Sequence, residues 1–286
     1  MKRASFNIAD EEFMVLLERA NTSFGKKGIR HMFVGGTANQ IHVSRYLCDI
    51  YNKDLLDIGE LSDVPLSDYL RATDDVDIAL RIPYTEGDSA DEEKYLGAED
   101  VSAASKIFGV LDDIVGDSEY MSPSENHVVT LELIRKGHVR PKFVLGKDGE
   151  KYTDREVSFN IYRGPKCLKK LDLAGFEEKF YDVFLDRAVD VNIPYSSDRD
   201  ITLRVKRAED HLATKIVRGR PKDVSDALSI SRYAQMARRP ISYELVEEVL
   251  FSNNSRKERD DSAFADRYDA FRKLEGTLEG ESGLID

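Results

Sequence analysis

Arg71 to Leu80 reads RATDDVDIAL, and the periodicity of this stretch decides how the chain is read. A β-strand turns its side chains to opposite faces at successive residues, so Asp75 and Asp77 fall on one face, while Val76 and Ile78 fall on the other, toward an apolar layer. Asp74 is left on the side away from the pair. Two ionised carboxylates held this close repel each other, and a hard cation such as Mg2+ or Mn2+, accepting oxygen from both, relieves the repulsion. A solvated edge strand with surplus acid is the competing reading. The segment upstream weighs between them. Met32 to Asn39 reads MFVGGTAN, a short apolar strand running into two glycines and a hydroxyl. Gly35 and Gly36 permit positive φ and close backbone approach to a ligand, and Thr37 is placed to cap a helix expected from Ala38 to about Cys48. Free N–H groups at a helix start attract phosphate. A glycine pair by itself commonly makes only a turn. In the order strand, anion nest, helix, acidic strand, it supplies the parts that hold a nucleoside triphosphate with its magnesium.

This order resembles the nucleotidyltransferase fold of the DNA polymerase beta superfamily, whose signature is a Gly-Gly or Gly-Ser turn followed by Asp-x-Asp. The local wording is closest to the AbiEii and MenT group of toxin nucleotidyltransferases: GGTA at Gly35 to Ala38, then Arg71, Thr73, Asp75 and Asp77 as R-x-T-x-D-x-D. Two later segments extend the likeness, a lysine helix AEDHLATKIVRGR containing Lys215, and RGRPKDVSDALSI from Arg218 to Ile230. The resemblance spans Gly35 to Ile230 and departs from the family pattern in the long interval between Gly36 and Arg71. It implies an α+β fold, with a mixed-sheet nucleotidyltransferase core and a helical C-terminal part. Gly35, Gly36, Thr37, Arg71, Thr73 and Lys215 are implied as nucleotide contacts. Asp75 and Asp77 are implied as ligands of Mg2+ or Mn2+, with a third carboxylate beside them.

That third acid is assigned to Asp182 in KFYDVFLD, which reads as a compact strand after the intervening hairpins; Glu132 and Asp186 are the other acids considered. In a two-ion mechanism Asp182 would hold the ion that activates the incoming hydroxyl. On the lysine helix, Leu212, Ile216 and Ala208 face a core and Lys215 faces the cleft, where it meets triphosphate oxygens; a snorkelling surface lysine is the alternative. Asp223 and Asp226 lie three apart on the next helix. Asp223 caps it after Pro221, and Asp226 orients Lys215 or an arginine.

The chain has 286 residues and a formal charge of -12, with a pI near 5.1, which argues against coating duplex nucleic acid through overall charge. A local field remains. Arg199, Arg204, Lys206, Arg207, Lys215, Arg218, Arg220 and Lys222 crowd one stretch, which either guides a phosphate-bearing acceptor or forms an ordinary solvated helix pair. The two cysteines, Cys48 and Cys167, make no disulfide framework or CxxC site, and the histidines lack zinc spacing. No signal peptide or membrane span is legible, so a cytoplasmic protein is expected. Phe13, Leu16, Leu17 and Ala20 form the apolar stripe of an N-terminal helix. Val101 to Val115 reads as another amphipathic helix, and HVVTLELI, RPKFVLG and REVSFNIYRG read as antiparallel strands, with GKDGE a hairpin turn. The division expected is 1–195 for the catalytic domain and 196–286 for a helical domain completing the cleft.

Three function classes follow. The first is transfer of a nucleoside monophosphate from an NTP to an acceptor. The toxin branch implies the 3′ end of tRNA, with a cognate antitoxin as partner. The second transfers a nucleotide, or a phosphoryl group, to a protein or small molecule. The third is a non-catalytic nucleotide-binding or partner-binding module.

Overall fold

The computed structural model describes residues 8, 10–60, 73, 75–80, 110, 113, 142–145, 151–163, 166–176, 184–251 and 261–282. The described elements run α1 (Glu11–Lys26), β1 (His31–Phe33), α2 (Gly35–Tyr51), α3 (Leu55–Glu60), β2 (Asp75–Leu80), β3 (Lys142–Leu145), β4 (Lys151–Arg163) and β5 (Lys166–Phe176). They continue as β6 (Val189–Ser196), β7 (Arg199–Val205), α4 (Ala208–Arg218), α5 (Pro221–Met236), α6 (Tyr243–Phe251) and α7 (Asp261–Ser282). The chain is α+β. Its strands form one mixed sheet in the order β3-β4-β5-β2-β1-β7-β6.

The register brings the acids of β2 beside the start of α2. β1 pairs antiparallel with β2, Phe33 opposite Ile78, and the Val34 amide donates to the Asp77 carbonyl at 3.0 Å. β2 runs parallel to β5, and β1 runs parallel to β7 with Phe33 opposite Val205. Val76 and Ile78 are fully buried, as the alternation in DVDIAL requires. β3 and β4 pair antiparallel with Leu145 opposite Lys151, in keeping with a hairpin there, although 146–150 and the HVVTLELI segment lie outside the described residues.

The N-terminal helix packs as its pattern dictates. Phe13, Leu16, Leu17 and Ala20 are all buried, together with Met14 and Phe24. β1 is three residues long and meets β7 at Phe33 opposite Val205, so backbone polar groups further along that edge of β7 take other partners. Asn21 of α1 supplies them: its Nδ2 donates to the Thr202 carbonyl at 3.2 Å, and its Oδ1 accepts from the Arg204 amide at 2.9 Å.

Four expectations change at this level. Thr37 does not cap α2. The helix begins at Gly35, with Val34 in extended conformation as N-cap and no side-chain cap, because Gly35 takes φ +59 and turns the chain three residues earlier than expected. Thr37 lies inside the first turn, fully buried. The end of KFYDVFLD, residues 184–186, is helical rather than extended, and Asp186 is exposed beside Arg30. The basic stretch from Arg199 opens as strand β7 rather than as a helix pair. A boundary at 195/196 falls inside β6, whose hairpin with β7 belongs to the sheet; the helical part begins at Ala208. Of the Val101 to Val115 segment only Val110 and Asp113 are described, both helical.

Candidate functional site

Gly35 is the tightest point of the site. A Cβ built there would stand 1.8 Å from Oδ2 of Asp77, so the Asp77 carboxylate rests against the backbone at the start of α2, in space that any side chain would fill. The left-handed φ of Gly35 strains any other residue further. The arrangement brings an acid to a helix start whose first amides have no intrahelical acceptor. Thr73, in a bridge just before β2, is 4% exposed. Arg71 lies outside the described residues.

The parallel neighbour of β2 carries an acid that the sequence reading did not select. Asp172 on β5 stands directly opposite Asp77, and Lys170 opposite Asp75. Positions in register across a sheet share a face, so positions 75, 77 and 172 bring three acids, with Lys170 among them, to one side of two adjacent strands. Asp182 lies outside the described residues. A signal for Asp172 was present in KCLKKLDLAGF, where Leu171 and Leu173 flank the acid in the same alternation as Val76 and Ile78. Among the residues whose side chains are described, no group of three or more His, Cys, Asp or Glu could hold a metal ion; Asp75 and Asp172 are placed by strand position alone. The donor set, carboxylates beside a glycine that admits close approach, suits a hard divalent cation.

The second half of the site lies at the turn between α4 and α5. α4 ends on Gly219, a left-handed C-cap at φ +61 whose amide bonds to the Lys215 carbonyl, and α5 begins with Pro221 at its first position. Both choices follow the usual chemistry of helix ends. Lys215, expected to face the cleft, is buried between the helices: Nζ donates to Asp226 Oδ2 at 2.6 Å and to Asp223 Oδ1 at 3.2 Å. Asp226 thus orients Lys215, as expected. Asp223 is not a side-chain cap: the N-cap is Arg220, and the carboxylate instead accepts from the Arg220 guanidinium and from Lys215. Burial alone would raise the Asp223 carboxyl, but the Arg220 and Lys215 contacts outweigh it and hold its pKa below the usual value. Two cations and two carboxylates balance here, so Lys215 clamps α4 to α5.

The basic stretch is therefore divided by the fold. Arg199 pairs with Glu18, Arg204 with Asp190, and Arg207 with Asp210. Lys206 and Lys215 are buried. Arg218, Arg220 and Lys222 remain exposed, all on the α4–α5 turn.

Lys206 joins the two halves. Its amide donates to the Phe33 carbonyl, just before the glycine turn, and its carbonyl lies 2.8 Å from His42 Nε2 of α2. The ammonium bonds to Thr214 and sits 3.8 Å above the Phe184 ring. Burial lowers its pKa to about 7; Asp210 opposes the shift, and Arg218 and Lys215 add to it. His211, with Nε2 unpartnered, is pushed well below its ordinary value by burial and then by Lys215 and Lys206, so it is neutral. Lys206 is thus a source of pH-dependent stability. Between pH 7 and 10.5 the unfolded chain holds a proton that the folded chain has released, so this group's contribution rises with pH, by at most about 1.4 kcal/mol per unit. Below pH 7 its penalty is constant. Lys206→Met should therefore unfold at higher denaturant than the parent at pH 6.5, with the advantage shrinking by pH 9.5. Equal differences at both pH values would contradict this account.

Among the described residues no helix is long and apolar enough to cross a membrane. Set against models of known protein families and against curated proteins, the sequence matches none.

Proposed function

We propose that this chain is a metal-dependent nucleotidyltransferase, in which an acceptor hydroxyl attacks the α-phosphorus of an NTP, the α–β anhydride bond breaks and pyrophosphate leaves, so that a nucleoside monophosphate is joined to the acceptor. The observation that carries the reading is the close seat of the Asp77 carboxylate on Gly35 at the start of α2, with Asp172 in register beside it. Asp75, Asp77 and Asp172 would hold Mg2+ or Mn2+. When bound, the ion neutralises triphosphate oxygens and activates the attacking hydroxyl. The Gly35, Gly36 and Thr37 segment offers amides to the phosphates, and Arg71 and Thr73 take the contacts implied by the toxin-branch resemblance. Lys215 and Asp226 fix the turn on which Arg218, Arg220 and Lys222 present positive charge to a phosphate-bearing acceptor. The same resemblance supports an RNA acceptor, the 3′ end of tRNA, and a toxin that works against a cognate antitoxin.

The test is incubation with small RNA, protein extract and each α-labelled NTP in magnesium, using the parent and folded Asp77→Asn, Asp172→Asn and Asp182→Asn variants. The proposal expects RNA labelled at its 3′ end by the parent, with a loss of 100-fold or more, on the order of removing a transition-state charge partner, in Asp77→Asn and Asp172→Asn. Loss in Asp182→Asn with full activity in Asp172→Asn would move the third carboxylate to Asp182. Label on protein or a small molecule alone rejects the RNA acceptor. Transfer of γ-label without α-label selects a kinase. No transfer to any acceptor by the parent rejects the enzyme.

A further inference from the structure

The C-terminal helix meets the α4–α5 turn at Arg267. Arg267 of α7 donates from its guanidinium to the Val217 carbonyl, in the last turn of α4. Its Cδ and Nε both lie 3.2 Å from where a Cβ at Gly219 would stand, and Cζ lies at 3.5 Å. The guanidinium therefore covers the left-handed C-cap and satisfies one of the carbonyls that a helix end leaves without an intrahelical donor. Two residues before that carbonyl is Lys215, and one residue after Gly219 is Arg220, which grips Asp223. Loop closure between α4 and α5 is short, so fixing its middle fixes both of its ends.

We propose that Arg267 is a positioning residue for the Lys215–Asp223–Asp226 group. It clamps the α4–α5 turn from outside while Lys215 clamps it from inside. The inference rests on the reading of this turn as part of the acceptor-binding site, but its structural half stands without that reading. Arg267 acts through the turn and is not assigned a contact with substrate. A lysine at 267 keeps one donor for the Val217 carbonyl and loses the flat face over Gly219.

Two readouts separate the brace from the activity. The first is the acylation rate of individual lysine amines by an excess of a water-soluble acylating reagent, followed by mass spectrometry. Lys215 and Lys206 are both buried, but only Lys215 is held by the turn. Folded Arg267→Ala should show Lys215 acylated roughly tenfold faster than in the parent, as local opening of one hydrogen-bonded segment permits, with Lys206 unchanged and Arg267→Lys intermediate. Lys215 as protected in Arg267→Ala as in the parent would overturn the proposal. So would a parallel rise at Lys206, which would mark general loosening. The second readout is α-label transfer: Arg267→Ala should raise the KM for the acceptor severalfold while leaving kcat within about twofold. If Lys215 is exposed and KM is unchanged in an active parent, the brace holds and its role in acceptor binding is rejected. If the parent transfers no label, the proposed function fails, and the acylation experiment still decides whether Arg267 braces the turn.

Discussion

Asp226→Ala should destabilise the protein by about 3 kcal/mol, at the lower end of the range for breaking a buried ion pair, because Asp223 still answers part of the Lys215 charge. Lys215→Met should cost more. It leaves two carboxylates buried, at 0% and 2% side-chain exposure, with Arg220 still paired to Asp223. Without the ammonium, burial counts for more at Asp223 and its carboxyl rises, so the Lys215→Met protein should regain stability as the pH falls toward the carboxylate range. The decisive comparison is the double variant Lys215→Met, Asp226→Leu. Apolar residues of similar volume often replace a buried ion pair at no cost in stability, so this variant should unfold near the parent in a denaturant titration. If Lys215 and Asp226 serve transfer, it should nevertheless transfer α-label at least tenfold more slowly than the parent. A stable double variant with full activity would reduce the pair to a structural clamp.

Gly35→Ala should abolish the site while leaving most of the fold. The new Cβ would overlap Oδ2 of Asp77 at 1.8 Å and lie 2.7 Å from its Cγ, so the carboxylate has to turn away or the start of α2 has to move. The positive φ adds roughly 1 to 2 kcal/mol of strain for any residue with a Cβ. The expected result is loss of the thermal shift that the parent shows with NTP and magnesium, and a fall in transfer of at least 100-fold, the scale reported for misplacing a reacting group by about 1 Å. Far-UV circular dichroism should change little, since β1 and β2 pair through backbone groups on residues 31–33 and 78–80. If Gly35→Ala binds NTP with magnesium as the parent does, the phosphate seat is elsewhere.

The order of strand, glycine turn, helix and acidic strand was legible because each part is local. Val76 and Ile78 declare the buried face of β2 within a few residues, and the stripe from Phe13 to Ala20 declares that of α1. What was not legible depends on distant pairing. Asp172 becomes a candidate only when β5 is known to lie parallel to β2, and nothing within KCLKKLDLAGF selects that neighbour. Lysines at 166, 169 and 170 also give the strand a polar beginning that hides its alternation. The basic stretch misled for a similar reason. Net positive charge along the sequence does not say which cations find carboxylates, and Glu18, Asp190, Asp210, Asp223 and Asp226 between them engage most of it. Thr37 was misplaced because a hydroxyl before an apolar run is an ordinary N-cap signal, and only the positive φ at Gly35 starts the helix earlier.

The three-residue strand β1 has a consequence for how the chain folds. It is held on one side by β2 and on the other by β7, and the helix that follows it is tied to the end of β7 through His42 and Lys206 across a sequence separation of 164. Contacts of that span close a long loop before any stabilisation is returned, so topology of this kind folds slowly. During synthesis at roughly 5 to 20 residues per second, the glycine turn and the acids of β2 leave the ribosome several seconds before the strand and lysine that lock them. An N-terminal fragment ending ahead of Lys206 lacks the partner for Phe33 and His42. Nucleotide binding should therefore appear late and all at once in a refolding time course, in step with burial of the β7–α4 junction.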